Sequence, residues 1–313
     1  MKQDELHLST RAVHTEGNEK RTNRPVSSPI YLSATFEAAD VDEQIGLEAD
    51  GDTFYTRYGN PTLTVVERAL AELEGAESAL VFGSGMSAIT TTLLTFLGKG
   101  DHAVFQREVY GGTFRFAREL LPRFGVDVSW VNCTDTKGFR ESIRDNTRVV
   151  YLESPTNPTL KLLDLAAVAE TARSRGVMTF IDSTFATPFN TRPRDYGIDG
   201  ILHSTTKYFG GHSDLLGGAL AASQAVVKKV RSYLKVLGGI LDPHAAYLLL
   251  RGIKTLGVRV EQHNRSALAV SRAFEAHPGV RRVFYPMLDS HPQHELARRQ
   301  MRGGGGVVSL ELD

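Results

Sequence analysis

The sequence predicts an α/β fold built on a mostly parallel seven-stranded sheet, and three observations carry that prediction. Seven apolar runs of strand length lie at 79–82, 102–105, 126–131, 148–153, 177–182, 198–203 and 217–222. Most are separated by stretches with helical periodicity, such as 86–97, 113–121 and 164–174. Alternating βα units imply parallel strands joined by crossover helices, with both sheet faces covered. After residue 223 the pattern changes to long helices at roughly 224–237, 243–252 and 256–276, where the strand-bearing part ends.

Residues 1–58 lack sustained periodicity and carry Asn23, Pro25, Ser27, Ser28 and Pro29, which suits an extended N-terminal arm of the kind that wraps a partner subunit. Asn60 and Pro61 form an N-cap and N1 pair, followed by Val65, Val66, Ala69, Leu70 and Leu73 on one helical face and a terminating Gly75. An α/β domain is expected over 59–245 and the start of a small α+β domain over 246–313. His277, Pro278 and Gly279 stop the last long helix. A short strand at Val283, Phe284 and Tyr285, a helix near 293–302 and a strand at 307–312 then complete the chain.

Composition narrows the function. With 313 residues, 41% hydrophobic and 23% charged, the chain can bury a sizeable core in one large domain or two. Its 36 basic and 36 acidic side chains cancel, which argues against a nucleic-acid partner. One cysteine, Cys133, excludes an internal disulfide and a multi-thiolate metal site, fits a reducing cytoplasm, and reads as a small buried apolar residue. Lys2, Asp4, Glu5 and His7 occupy the place of a signal peptide's apolar run, so export is not expected. The uncharged stretch from Ser78 to Gly98 is diluted by glycine, serine and threonine and reads as strand, loop and buried helix, so no membrane partner is expected. His291 and His294 lack a nearby third ligand, and no metal is expected.

Ligands of open α/β sheets sit beyond the carboxyl ends of the strands, so residues just after each strand are the ones to inspect. Gly83, Ser84, Gly85, Met86, Ser87 and Ala88 formally match the dinucleotide fingerprint G-x-G-x-x-A, with Asp101 near the spacing of a ribose-binding acid. A small-residue loop opening a helix suits any phosphate, because it offers backbone N–H groups and the positive end of the helix dipole. At that point a tight-packing turn, a dinucleotide site and another phosphate site all stay open. Asp182 ends an apolar strand, where a buried carboxylate needs a cation or a protonated ring nitrogen. Lys207 follows Ser204 and Thr206 in a hydroxyl-rich turn ahead of Gly210 and Gly211, which by itself suits either a solvated surface lysine or an amine that condenses with an aldehyde. Phosphate donors, an acid for a ring nitrogen and such an amine together are what pyridoxal phosphate needs.

Several stretches carry a resemblance: Tyr55-Thr-Arg-Tyr-Gly-Asn-Pro-Thr62, Gly83-Ser-Gly-Met86, Val109-Tyr-Gly-Gly-Thr113, Glu153-Ser-Pro-Thr-Asn-Pro158, Asp182-Ser-Thr-Phe-Ala-Thr-Pro188, His203-Ser-Thr-Thr-Lys-Tyr208, Gly211-His-Ser-Asp214 and Arg251-Gly-Ile-Lys-Thr255. In this order they resemble, essentially end to end, the Cys/Met-metabolism family of pyridoxal-phosphate enzymes, the cystathionine γ-synthase, cystathionine γ-lyase and methionine γ-lyase group. The resemblance implies the aspartate-aminotransferase-like fold, fold type I, with pyridoxal 5'-phosphate as cofactor and a small amino acid as substrate. Lys207 resembles the lysine joined to the cofactor's aldehyde, which later carries protons between Cα, Cβ and the cofactor. Asp182, followed by Thr184, resembles the acid that keeps the pyridine nitrogen protonated. Gly85 and Met86, with Ser204 and Thr206, resemble the phosphate ligands. Tyr110 resembles the catalytic ring that stacks on the cofactor and assists proton transfer to the leaving group, and Asn157 the residue near the cofactor's phenolic oxygen. Tyr55 and Arg57 resemble a pair that reaches the phosphate of a neighbouring subunit's cofactor, which implies a homotetramer built as a dimer of active dimers.

The resemblance also bears on the reaction, expected to be γ-replacement or γ-elimination at sulfur amino acids or activated homoserine esters. Phe54 stands where cystathionine-handling members usually have an acid and is more like methionine γ-lyases and homoserine-ester sulfhydrylases. Gly112 stands where methionine γ-lyases typically have cysteine and is more like the cystathionine enzymes. Leu241 to Arg259, Tyr285-Pro286 and Ser290 to His294 look most like γ-synthases and γ-lyases. The family's small domain continues beyond the strand at 307–312 and carries the arginine that clamps the substrate carboxylate, so a cofactor-binding fragment without turnover is an alternative of another class. A nicotinamide dehydrogenase resting on 83–88 is a third.

Overall fold

A computed structural model describes residues 6–14, 25–50 and 53–313; the parts of the expected arm at 1–5, 15–24 and 51–52 lie outside the described residues. In chain order the strands are β1 (Ser78–Phe82), β2 (His102–Gln106), β3 (Asp127–Val131), β4 (Thr147–Glu153), β5 (Met178–Asp182), β6 (Gly200–Ser204), β7 (Gly218–Ala222), β8 (Val280–Phe284) and β9 (Ser309–Leu312). The helices are α1 (Leu8–Val13), α2 (Val41–Asp50), α3 (Pro61–Glu74), α4 (Gly85–Phe96), α5 (Gly111–Arg115), α6 (Thr136–Ser142), α7 (Leu165–Arg173), α8 (Thr187–Asn190), α9 (Gln224–Leu237), α10 (Pro243–Ile253), α11 (Leu256–Glu275) and α12 (His294–Gln300). All seven expected sheet strands are present, in the order β1-β7-β6-β5-β4-β2-β3. The pairs among β2 to β6 are parallel, and β1 with β7 is antiparallel.

The chain divides into two compact units, Met1–Thr95 with His203–Leu256, and Phe96–Leu202 with Gly257–Asp313. In the first, α3 starts as its sequence dictates. Asn60 Oδ1 accepts the Thr62 N–H at 2.9 Å, Pro61 fills the first position, and Gly75 ends the helix in the left-handed region at φ 66°. The buried side of α3, including Val66, Ala69, Leu70 and Leu73, packs on β1, β7 and α10. Antiparallel pairing of β1 sets Phe82 opposite Gly218.

In the second unit the sheet has two differently furnished faces. Val104, Val150, Leu152, Ile181 and Ile201 turn toward α6 and α7, whose Phe139, Leu165, Val168 and Ala169 complete an aliphatic core. The alternate residues are aromatic: Phe105 stacks on Tyr151 with centroids 5.2 Å apart, and Phe180 meets Phe96 at 5.4 Å. Side chains alternate along a strand, so the acids that end β4 and β5, Glu153 and Asp182, share this aromatic side. Leu160, Ala267, Val283, Tyr285 and Leu288 form a further cluster, and β8 pairs antiparallel with β9. Within the run Gly303–Gly306, packing demands glycine at 304, since a Cβ there would lie 2.5 Å from the Tyr285 ring.

Several local expectations change. The expected arm contains α1 and α2; Val41 and Ile45 of α2 are exposed, and the helix starts where Asp40 Oδ1 accepts the Glu43 N–H at 2.8 Å. The single helix expected at 113–121 is α5 followed by a π turn, Phe116–Leu120, and a 3₁₀ turn, Leu121–Phe124, that accommodates Pro122. α6 is too short for periodicity to reveal, and Asp135, which accepts the Gly138 N–H, starts it.

Candidate active site

In the first unit β1 delivers the chain to Gly83, and α4 opens at Gly85. Ser84 caps that helix, its Oγ accepting the Ser87 N–H at 3.0 Å. The N–H groups of Gly85 and Met86, one step into the helix, have no carbonyl a turn behind them. Glycine is demanded by close approach, because a Cβ on Gly85 would lie 2.9 Å from Ser204 Cβ and 3.1 Å from Ser204 Oγ. A Cβ on Gly83 would lie 2.8 Å from the Ile240 carbonyl oxygen, so tight packing and donor presentation are both true of this loop. The helix therefore presents first-turn amides beside the Ser204 hydroxyl, with the dipole favouring an anion there.

The turn after β6 is stitched from within. Lys207 N–H donates to the Ser204 carbonyl at 3.2 Å, Thr205 N–H to the Gly217 carbonyl at 3.0 Å, and Gly210 N–H to the Thr205 carbonyl at 2.8 Å. Thr206 Oγ1 accepts the Gly217 N–H at 3.1 Å. Thr205 is fully buried and Lys207 is exposed, so a rigid turn projects the lysine. Beneath it, His203 Nε2 meets Glu74 Oε1 at 2.6 Å, both side chains buried.

In the second unit, Asp182 is buried at the end of β5, and its Oδ1 accepts from Thr184 N–H at 3.0 Å and Thr184 Oγ1 at 2.5 Å. In register with it, Glu153 takes the Tyr110 N–H on Oε2 at 2.6 Å and the Asn157 N–H on Oε1 at 3.3 Å. Burial, and then the Asp182 charge, push the Glu153 carboxyl well above the ordinary carboxylate range, against the pull of those two N–H groups. The Tyr151 phenol, fully buried near both acids, is likewise pushed well up. Tyr110 and Asn157 themselves are exposed.

Tyr55 and Arg57 form their own cluster in the first unit. The Arg57 guanidinium lies 5.2 Å from the Tyr55 ring and 5.0 Å from the Tyr58 ring and donates to the Lys235 carbonyl, while Phe54 stacks on Tyr58 at 5.6 Å. The structure thus brings Gly85 to Ser204, Thr206 and Lys207 into one turn, Thr184 to Asp182, and Tyr110 and Asn157 to Glu153. Sequence reasoning passed over Glu153 as a site residue. The signal was available, since it ends the apolar strand Val149-Val-Tyr-Leu-Glu153 just as Asp182 ends its own.

The profile described as "Cys/Met metabolism PLP-dependent enzyme" matches residues 9–313. The chain belongs to this family. It is a fold type I pyridoxal-phosphate enzyme. The "Probable cystathionine gamma-synthase" of Herpetosiphon aurantiacus is 43% identical over 306 residues, 97% of this chain and 94% of that protein. The "Cystathionine beta-lyase MetC" of Bacillus subtilis is 41% identical over 307 residues, 98% of this chain and 77% of that protein. Among solved structures, that of metB from Corynebacterium glutamicum superposes with a TM-score of 0.95 at 34% identity, covering 100% of this chain and 80% of that one.

The residues present fit pyridoxal phosphate. First-turn amides packed so closely on Ser204 that no side chain fits at Gly85 suit a phosphate, and a buried strand-end carboxylate suits a ring nitrogen that carries a proton. The nicotinamide reading of 83–88 is overturned by family and by topology. A dinucleotide fingerprint follows a strand inside a parallel sheet at a reversal of strand order, whereas β1 is an antiparallel edge strand. Asp101 is occupied elsewhere, taking the Gly98 N–H at 2.9 Å and the Arg148 guanidinium at 3.1 Å. Among the described residues no three His, Cys, Asp or Glu side chains gather as a metal site, and no helix is long and apolar enough to cross a membrane.

Proposed function

We propose that this pyridoxal-phosphate enzyme catalyses γ-replacement or γ-elimination on cystathionine or an activated homoserine ester, as cystathionine γ-synthases and γ-lyases do. The observation that carries the reading is the helix N-terminus at Gly85, closed by Ser204 and followed in the next turn by Lys207. When bound, pyridoxal phosphate supplies an aldehyde for an amino group and a protonated ring that draws electron density from the substrate's Cα. Gly85, Met86, Ser204 and Thr206 bind the phosphate. Asp182, oriented by Thr184, holds a proton at the pyridine nitrogen. Lys207 would supply the amine that condenses with the aldehyde and would move protons at the substrate's Cα and Cβ. Tyr110 covers the ring face, and Asn157 orients the ring through its phenolic oxygen.

Tyr55 and Arg57 are assigned to the phosphate of a neighbouring subunit's cofactor, with the assembly a cytoplasmic homotetramer of active dimers. The planar guanidinium, already flanked by two tyrosine rings, suits a phosphate oxyanion. Phe54 supports a second reading, methionine γ-lyase or homoserine-ester sulfhydrylase, because its ring is committed to Tyr58 at a position where cystathionine-handling relatives usually have an acid.

The test is a visible spectrum after loading with pyridoxal phosphate and removing the excess, followed by borohydride reduction and peptide mapping. A yellow band fixed onto Lys207 and absent in Lys207→Ala is expected. Steady-state assays for cystathionine formation and for 2-oxobutanoate release then separate replacement from elimination, and a loaded protein with neither activity favours the fragment without turnover.

A further inference from the structure

Glu153 carries more of this site than any of the residues assigned above would suggest. It is 6% exposed and lies beside Asp182 in the parallel β4–β5 register. Its two carboxyl oxygens are divided between the backbone N–H groups of Tyr110 and Asn157, at 2.6 and 3.3 Å. Neither bond belongs to a strand ladder or a helix, since Tyr110 precedes the first turn of α5 and Asn157 lies in a turn after β4. The Tyr110 side chain is half exposed, so contacts with the rest of the chain hold its ring only in part and the backbone sets its place. The acid is itself clamped. Gln106, fully buried, donates from Nε2 to the Glu153 carbonyl at 2.8 Å and accepts the Glu153 N–H on Oε1 at 3.2 Å.

We propose that Glu153 is a positioning residue of this enzyme, fixing Tyr110 and Asn157 relative to each other and to Asp182 so that the three meet the cofactor ring in one geometry. The inference rests on the assignment of Tyr110, Asn157 and Asp182 to the cofactor. A carboxyl group suits the task because both oxygens accept, whereas an amide has one acceptor and would face one of the two N–H groups with its own N–H₂. Burying a second acid beside Asp182 is costly, as the upward push on its carboxyl attests, and a residue that only filled space would not require it.

The test uses the holoenzyme loaded with pyridoxal phosphate, as wild type, Glu153→Gln and Glu153→Asp. In the wild type the Tyr110 amide, which has no helical partner, exchanges slowly with deuterium because Glu153 holds it. In Glu153→Gln, Tyr110 or Asn157 exchange rises at least about tenfold. The cofactor's visible circular dichroism per bound molecule falls by about half or more. kcat drops on the order of 10- to 100-fold with KM nearly unchanged, the pattern of a misplaced rather than a missing group. Glu153→Asp keeps both carboxyl oxygens but falls one methylene short, and it shows the same losses. Should Glu153→Gln fail to fold, the aspartate variant and the wild-type exchange rate decide. A Tyr110 amide exchanging at the unprotected rate in loaded wild type, or a loaded variant with wild-type dichroism and kcat, overturns the proposal alone. A wild type that takes up no pyridoxal phosphate overturns the functional reading, and this one with it.

Discussion

Gly218→Ala is the substitution that tests most directly whether the loop at Gly85 is held by packing. A Cβ at this position would sit 2.2 Å from the Ser84 carbonyl oxygen, 2.6 Å from the Ser84 carbonyl carbon and 2.9 Å from Gly85 Cα. All three are backbone atoms, so no side-chain rotation relieves the overlap. Either the loop retreats by roughly an ångström or β7 slides against β1, where Gly218 pairs with Phe82. Overpacking of this kind costs about 1–3 kcal/mol, and the backbone setting places Gly218→Ala near the upper end. For a chain of 313 residues that lowers the melting temperature by roughly 3–5 °C. The loop that moves is also the one assigned to the phosphate, so the dissociation constant for pyridoxal phosphate should rise about tenfold or more, against little change in Gly46→Ala, where nothing lies within 4 Å of the added Cβ. Scanning calorimetry and a fluorescence titration with the cofactor measure the two effects. A Gly218→Ala protein with the wild-type melting temperature and cofactor affinity would refute the packing argument.

His203→Ala leaves the Glu74 carboxyl buried without its imidazole and should lower unfolding free energy by about 3–5 kcal/mol in urea titrations, with Glu74→Gln milder because the hydrogen bond survives. Cys133, buried and pushed up to about 12 first by burial and then by the Glu108 charge, should resist thiol reagents at pH 8 in the folded protein and react promptly in denaturant. His291 is pushed down to about 4, mainly by burial and further by Arg282, and its Nδ1 accepts the Gln293 N–H at 3.2 Å. The unfolded chain takes up this proton near 6.5 and the folded chain only near 4, so stability present above pH 6.5 falls by about 3 kcal/mol as pH drops to 4. His291→Gln should flatten that part of the pH–stability curve.

The sheet was legible because each strand is a short apolar run with a turn signal beside it, and Asp182 and Lys207 because an acid or a lysine stands out at such a boundary. Pairing was not legible. Nothing in Ala79-Leu-Val-Phe82 distinguishes an antiparallel edge strand from a parallel interior one, and that single fact removes the dinucleotide reading. Gly83 and Gly85 read correctly as a phosphate-suited loop, yet the partners that demand glycine, Ile240 and Ser204, lie more than a hundred residues away. α2 escaped notice because its few apolar residues are interrupted by Asp42, Glu43, Gly46, Glu48 and Asp50. Glu153 stood at such a boundary too, but its partners could not be read there, because they are backbone N–H groups, which every residue but proline carries.

The antiparallel pairing of β1 with β7 also has a temporal side. Ala79, Leu80, Val81 and Phe82 leave the ribosome long before Gly218–Ala222, and at about 5–20 residues per second the interval is on the order of ten seconds. Through that interval a strand of four consecutive apolar residues has no partner strand on the nascent chain, a ready template for pairing with other chains. The donor amides at Gly85 wait equally long for Ser204 and Gly218, so a bound cofactor cannot steady the early chain. What is available early is α3, which packs on β1 and is complete before it, and its strong cap at Asn60 and sharp stop at Gly75 let it form without distant contacts. Shielding of a newborn edge is thus a task for that helix, discharged well before the protein has any chemistry to perform.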